Sequence, residues 1–278
     1  MNDAHFFLVA ETHMQNQMKY LIKSLEIFSK LDNFYVTIMI PEGQKLKDKY
    51  LNKNCEVVHY KNKFNLIPKW SGAIRYFLES KSDVCLMLDC DILIVDSICD
   101  IVQKIKNNKK IYGAFAYTNP FDKNYWTSLF KQYKINYSED VFKMHLENNN
   151  CSPSCYFNYG FVGLHKELMP YLAPKLEKFV LEINKKPINY KGQVALCLAI
   201  MDSNIFYENL DYKYNFSTHL SKLMLERINI NYDDLIEDLR VFHYCKNKQI
   251  IINKKSSIEK VQKCLIDCDS LNKFKKFI

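Results

Sequence analysis

Val84-Cys85-Leu86-Met87-Leu88-Asp89-Cys90-Asp91-Ile92-Leu93-Ile94-Val95 is the stretch on which the fold turns. Five apolar residues, Val84 to Leu88, read as a strand buried on both faces, as in a parallel sheet covered by helices. Two carboxylates, one residue apart, then interrupt a run that resumes as Ile92 to Val95. Burying carboxylates costs several kcal/mol each unless something pairs with them, as a rough figure. A helix or turn cap would account for one aspartate. A divalent cation held by hard oxygen ligands accounts for both.

Upstream the pattern alternates between two periods. Phe6 to Ala10 reads as a strand, and residues 15–29 carry Met18, Leu21, Ile22, Leu25 and Phe28 at helical spacing. Tyr35 to Ile40 reads as a second strand, stopped by Pro41-Glu42-Gly43, and Glu56 to His59 as a third. Ile67 to Leu78 reads as a helix that leads into the strand ending at Asp89. Strand and helix in alternation imply βαβ units and a mostly parallel sheet. In such sheets ligands bind beyond the carboxyl ends of the strands, where Asp89 and Asp91 stand. Residues 118–154 are polar, aromatic and irregular, and read as an excursion from the domain or a lid over a site. Beyond them Phe157 to Leu164 reads as a strand, 166–183 and 193–201 as helices, and Arg240 to Tyr244 as a late strand. No linker divides the chain into independent domains.

Composition narrows the classes. The chain has 278 residues, 48% hydrophobic and 25% charged, which excludes global disorder. Six glycines and seven prolines exclude collagen-like and Pro-rich tracts. The start, Met1-Asn2-Asp3-Ala4-His5, lacks the basic and apolar regions of a secretory signal, and no window of 18 apolar residues spans a membrane. The ten cysteines therefore read as free thiols of a reducing, cytoplasmic compartment. Cys151/Cys155 and Cys264/Cys268 share a C-x3-C spacing, but no second pair stands nearby at zinc-finger distance.

Asp89-Cys90-Asp91 in this setting resembles the D-x-D motif of GT-A fold glycosyltransferases. The features around it follow in the order found in the glycogenin-like, family 8 enzymes. Val9-Ala10-Glu11-Thr12 is similar to their opening strand and loop, and Tyr20 and Ser24-Leu25 lie on the helix that follows. A basic residue, Lys69 or Arg75, precedes the D-x-D strand. Tyr156-Phe157-Asn158-Tyr159-Gly160-Phe161-Val162 resembles their F-N-(S/A)-G-V segment. Gly192-Gln193-Val194-Ala195-Leu196 lies where they have D-Q-x-x-L-N, with glycine in place of the aspartate. Asp211 to Phe216 resembles L-P-x-x-(W/Y)-N-x. Val241-Phe242-His243-Tyr244-Cys245-Lys246-Asn247-Lys248 resembles I-x-H-(F/Y)-x-G-x-x-K-P-W, without its glycine and its Pro-Trp. The resemblance covers about residues 5–250 and marks a diverged relative.

The resemblance implies an α/β fold of GT-A type: a Rossmann-like, mostly parallel sheet flanked by helices. It implies a single domain over 1–250; the charge and apolar spacing of 251–278 read as a basic helical extension. The implied activity moves a sugar from a nucleotide-sugar donor, a UDP-sugar, to a glycan or lipid-linked acceptor with retention. Mn2+ (or Mg2+) would neutralise charge growing on the departing diphosphate. Asp89, Asp91 and His243 are the implied metal ligands, and the imidazole favours Mn2+. Ala10, Thr12, Lys69, Arg75, Asp89, Gly160 and Lys248 are the implied donor-binding residues. Gln193, Asp91 and Asn158 would act at the reacting sugar.

Two other classes compete. A nucleotidyltransferase acting on sugar phosphates would also set carboxylates after a parallel strand, but it wants a glycine-rich loop near the first strand. Phe6 to Gln15 has none. A non-enzymatic basic binding protein, or a nucleic-acid partner, would spread basic charge over one face. Here Lys246 to Ile278 hold nine lysines against three acids, so +6 of the net +8 sits in the tail. Within it 256–268 reads as a closing helix, and 271–278 as a peripheral contact with an anionic membrane at its inner face.

Overall fold

The computed structural model describes residues 3–46, 53–60, 68–148, 150–217 and 220–244. Lys248 and the extension 251–278 lie outside the described residues, as do the side chains of Thr12 and Lys69.

Strand β1 (Ala4–Val9) is apolar but for His5, because both its faces are covered. Phe6 and Leu8 enter one core and Phe7 another. Its neighbours β2 (Phe34–Pro41) and β4 (Val84–Leu88) run parallel to it, and β3 (Cys55–Tyr60) runs parallel to β2. On the other flank β9 (Phe157–His165) lies between β4 and β6 (Ile111–Phe115), antiparallel to both. Strand β10 (Tyr207–Leu210) closes that edge parallel to β6. The seven-stranded sheet thus has the order β10-β6-β9-β4-β1-β2-β3.

Helices α1 (Gln15–Phe28) and α3 (Cys99–Asn107) cover one face: Met18, Leu21, Leu25, Ile101, Val102 and Ile105 all enter the core of Phe6 and Leu8. Helices α2 (Pro68–Glu79), α4 (Lys123–Tyr133), α5 (Met169–Asn184) and α6 (Lys191–Ser203) contribute to the other core. The expected α/β architecture, one mostly parallel sheet between helical layers, is the one observed. No helix among the described residues is long and apolar enough to cross a membrane. None of the seven described cysteines forms a disulfide.

A second sheet carries the site. Strand β5 (Ile92–Ile94) pairs antiparallel with β12 (Val241–His243), which pairs parallel with β11 (Phe216–Ser217). Helices α7 (Lys222–Glu226) and α8 (Tyr232–Glu237) pack beneath it through Leu225, Leu235 and Ile236. Ser24 joins the two sheets. Its hydroxyl donates to the Leu21 carbonyl at 2.7 Å and accepts the Ile94 N–H at 3.0 Å, which fixes α1 against β5.

The described residues of 118–154 are more regular than their polarity suggests. They fold as α4 followed by a hairpin of β7 (Phe142–Met144) and β8 (Cys151–Pro153). Three of their asparagines are structural. Asn119 Oδ1 accepts the Phe121 N–H, while Asn148 and Asn150 both donate to the Asn119 carbonyl. Asp122 caps α4 by accepting the Tyr125 N–H, and Trp126 is fully buried. A polar stretch read as irregular is therefore an insert held by turn-forming side chains.

Two buried histidines predict acid sensitivity. His5 bonds Thr37 at 2.8 Å, and His145 bonds the Ala116 carbonyl at 2.7 Å and Ser152 at 2.5 Å. Burial lowers each from 6.5 to about 4, helped at His5 by the Lys166 charge and opposed at His145 by the Ala116 carbonyl. In the unfolded chain both bind a proton near 6.5, whereas the fold keeps them neutral. Stability is therefore full above 6.5 and is lost as pH falls toward 4, by roughly 2 kcal/mol per histidine at pH 5. Urea midpoints at pH 7 and pH 5 measure this. His145→Gln should shrink the difference, and an unchanged midpoint in the wild type contradicts it.

Candidate metal centre

The chain leaves the large sheet at Leu88 and enters the small one at Ile92, so Asp89-Cys90-Asp91 forms the connection. Both exits are pinned by backbone. The Asp89 N–H donates to the Gly160 carbonyl at 3.1 Å, and the Asp91 carbonyl accepts the Tyr244 N–H at 3.1 Å. Cys90 is buried between the aspartates, with its thiol 3.0 Å from the Val9 carbonyl at the end of β1. The middle residue anchors the turn in the core, and the carboxylates on either side remain part-exposed, Asp89 at 31% and Asp91 at 19%.

Register brings the third group. His243 pairs with Ile92 across β12 and β5, which sets its ring beside the aspartates. His243 Nε2 lies 3.2 Å from Asp91 Oδ1 and 3.8 Å from Asp89 Oδ2. One ligand atom from each of the three falls within 4.8 Å of the others. An ion with ligands at about 2.1 Å holds neighbouring ligand atoms about 3 Å apart and opposed ones about 4 Å apart. The donor set, two carboxylates and an imidazole, fits a divalent cation.

A polar network backs the histidine. His243 Nδ1 is 3.2 Å from Asn215 Oδ1, Asn215 Nδ2 donates to Asn158 Oδ1 at 2.9 Å, and the Gly160 N–H donates to the same oxygen at 2.9 Å. The site residues Asp89, Asp91, Asn158, Gly160 and His243 are thus brought together. Gly160 is demanded by space: a Cβ there would stand 2.4 Å from Asn215 Oδ1 and 2.5 Å from His243 Nδ1. Asn215 belongs to this group; it stands at the asparagine of the L-P-x-x-(W/Y)-N-x resemblance, which marked the position without assigning it a role.

The other expected residues are more dispersed. Ala10 is buried at the carboxyl end of β1, its N–H bonded to the Met39 carbonyl. Arg75 lies on an exposed face of α2 and pairs with Glu79 at 3.6 Å. Gln193 stands half-buried in the first turn of α6. Its neighbour Gly192 meets Tyr159, the residue between Asn158 and Gly160. A Cβ at 192 would lie 2.6 Å from Tyr159 Cε2 and 2.7 Å from its Oη. An aspartate cannot occupy this position unless that ring moves.

No protein-family model and no curated protein matches the chain. Solved structures do. A galactosyltransferase, LgtC, in complex with donor and acceptor sugar analogues superposes with a TM-score of 0.57 at 13% identity, covering 99% of this chain and 100% of that one. GlyE, a glycosyltransferase of Streptococcus pneumoniae TIGR4, gives 0.56 at 11% identity, over 94% of this chain and 64% of that one. Mouse xyloside xylosyltransferase 1 gives 0.54 at 13% identity, over 89% and 99%. The chain has the fold of the GT-A glycosyltransferases.

Proposed function

We propose that the protein is a glycosyltransferase that moves a sugar from a UDP-sugar to a hydroxyl of a glycan or lipid-linked acceptor, with retention, and that Mn2+ is its metal. The observation that carries this reading is the convergence of Asp89, Asp91 and His243 at the carboxyl end of β4, within a GT-A fold. These three residues would hold the ion, which supplies charge neutralisation for the departing diphosphate. LgtC, whose structure holds donor and acceptor sugar analogues, supports the substrate class.

The chain's own groups orient the sugar. Asn158 has its Oδ1 occupied by two donors, so reading of a sugar hydroxyl falls to its Nδ2. Gln193 is held in the first turn of α6, where its amide would face the reacting carbon. In the transfer the bond from the anomeric carbon to the diphosphate oxygen breaks and a bond to the acceptor oxygen forms. The acceptor proton passes to the departing phosphate. The insert 118–154, which follows β6 in the chain, would wall the acceptor side.

Release of UDP from a panel of UDP-sugars, with Mn2+ and with EDTA, tests this reading. We expect hydrolysis of one donor to fall at least about tenfold in EDTA and to return when Mn2+ is added. Equal rates in both overturn the metal role, and no turnover of any UDP-sugar overturns the proposed donor class.

A further inference from the structure

We propose that Asn215 is a positioning residue that locks His243 in the tautomer whose Nε2 carries no proton, and that the backbone of Gly160 dictates this through Asn158. The metal reading above supplies only the consequence; the tautomer itself follows from hydrogen-bond directions.

The assignments are forced in sequence. A backbone N–H can only donate, so the atom of Asn158 that lies 2.9 Å from the Gly160 nitrogen is its carbonyl oxygen. The Asn215 atom 2.9 Å from that same oxygen must then be the amide nitrogen. The far end of the Asn215 carboxamide is therefore the oxygen, and it lies 3.2 Å from His243 Nδ1. An acceptor in that place requires the proton on Nδ1, which leaves a lone pair on Nε2 of the neutral ring.

That choice matters because of what Nε2 faces. Asp91 and Asp89 present oxygens at 3.2 and 3.8 Å. A histidine serving only as a hydrogen-bond partner would be better with its proton on Nε2, donating to Asp91. The opposite tautomer aims a lone pair at two carboxylates, which is favourable when a cation lies between them. Asn215 is 3% exposed and His243 6%, so bulk water does not compete readily for this bond. The absent Cβ of Gly160 allows the two side chains to approach its backbone.

The test is nitrogen NMR of histidine-labelled protein without metal, at a pH where the ring is neutral, together with Mn2+ titration followed by electron paramagnetic resonance. Wild-type His243 should carry its proton on Nδ1. Asn215→Leu removes the acceptor and should move the proton to Nε2, with Mn2+ affinity falling about 10- to 100-fold. Asn158→Asp keeps the accepting oxygen and should keep the wild-type tautomer. A wild-type proton on Nε2 overturns the proposal, whether or not any variant folds. So does an Asn215→Leu protein that retains the Nδ1 proton and binds Mn2+ within about twofold of wild type. An Nδ1 proton in a wild-type protein that binds no Mn2+ leaves the relay standing and overturns the metal reading instead.

Discussion

Asp91→Asn should melt at or slightly above the wild-type temperature and lose sugar transfer by on the order of a thousandfold. The two halves of this expectation have separate causes. The backbone around residue 91 is held by the Tyr244 N–H on its carbonyl, by the buried Cys90 side chain and by the pairing of β5 with β12. None of these uses the carboxylate. Without metal, two like charges crowd one imidazole, so removing one relieves repulsion. The amide is also a weaker ligand than the carboxylate for a hard cation. Near-normal turnover by this variant would remove Asp91 from the chemistry. A collapse of melting temperature would make it a structural residue.

Gly160→Ala should damage both stability and metal binding. The added methyl would stand 2.4 Å from Asn215 Oδ1 and 2.5 Å from His243 Nδ1, and both neighbours are buried with little room to yield. Overpacking of this kind costs about 1 to 3 kcal/mol. The displaced atoms belong to the bond that orients His243, so Mn2+ affinity should fall as well, by about tenfold or more. Chemical denaturation and Mn2+ titration read the two effects separately. An alanine variant with unchanged stability and unchanged Mn2+ affinity contradicts the close approach on which the centre is built.

The parts of this fold that were legible are those where burial leaves a pattern. β1 and β4 are covered on both sides, so they read as unbroken apolar runs, and α1 shows its single buried stripe. Asp89 and Asp91 stood out because carboxylates within such a run need a partner. Elements whose residues answer to tertiary neighbours were not legible. β6 is five residues long with Gly113 in its middle, where a Cβ would strike the Phe157 ring. β10 is an edge strand whose Glu208 serves Lys104 and Lys110, so it looks polar. Asn215 acquires its role from residues 57 positions before it and 28 after it, a proximity that exists once β9, β11 and β12 are assembled. The contact of Tyr159 with Gly192 is equally tertiary: the ring fills the space a Cβ at 192 would need.

The most direct test of the account is anomalous diffraction from crystals of the protein grown with Mn2+ and UDP. The account predicts one manganese peak within coordination distance of Asp89, Asp91 and His243 Nε2, about 2.0 to 2.3 Å from each, with the diphosphate on the same ion. A manganese peak bound elsewhere, or a diphosphate seated away from the end of β4 with these three residues unligated, would contradict it.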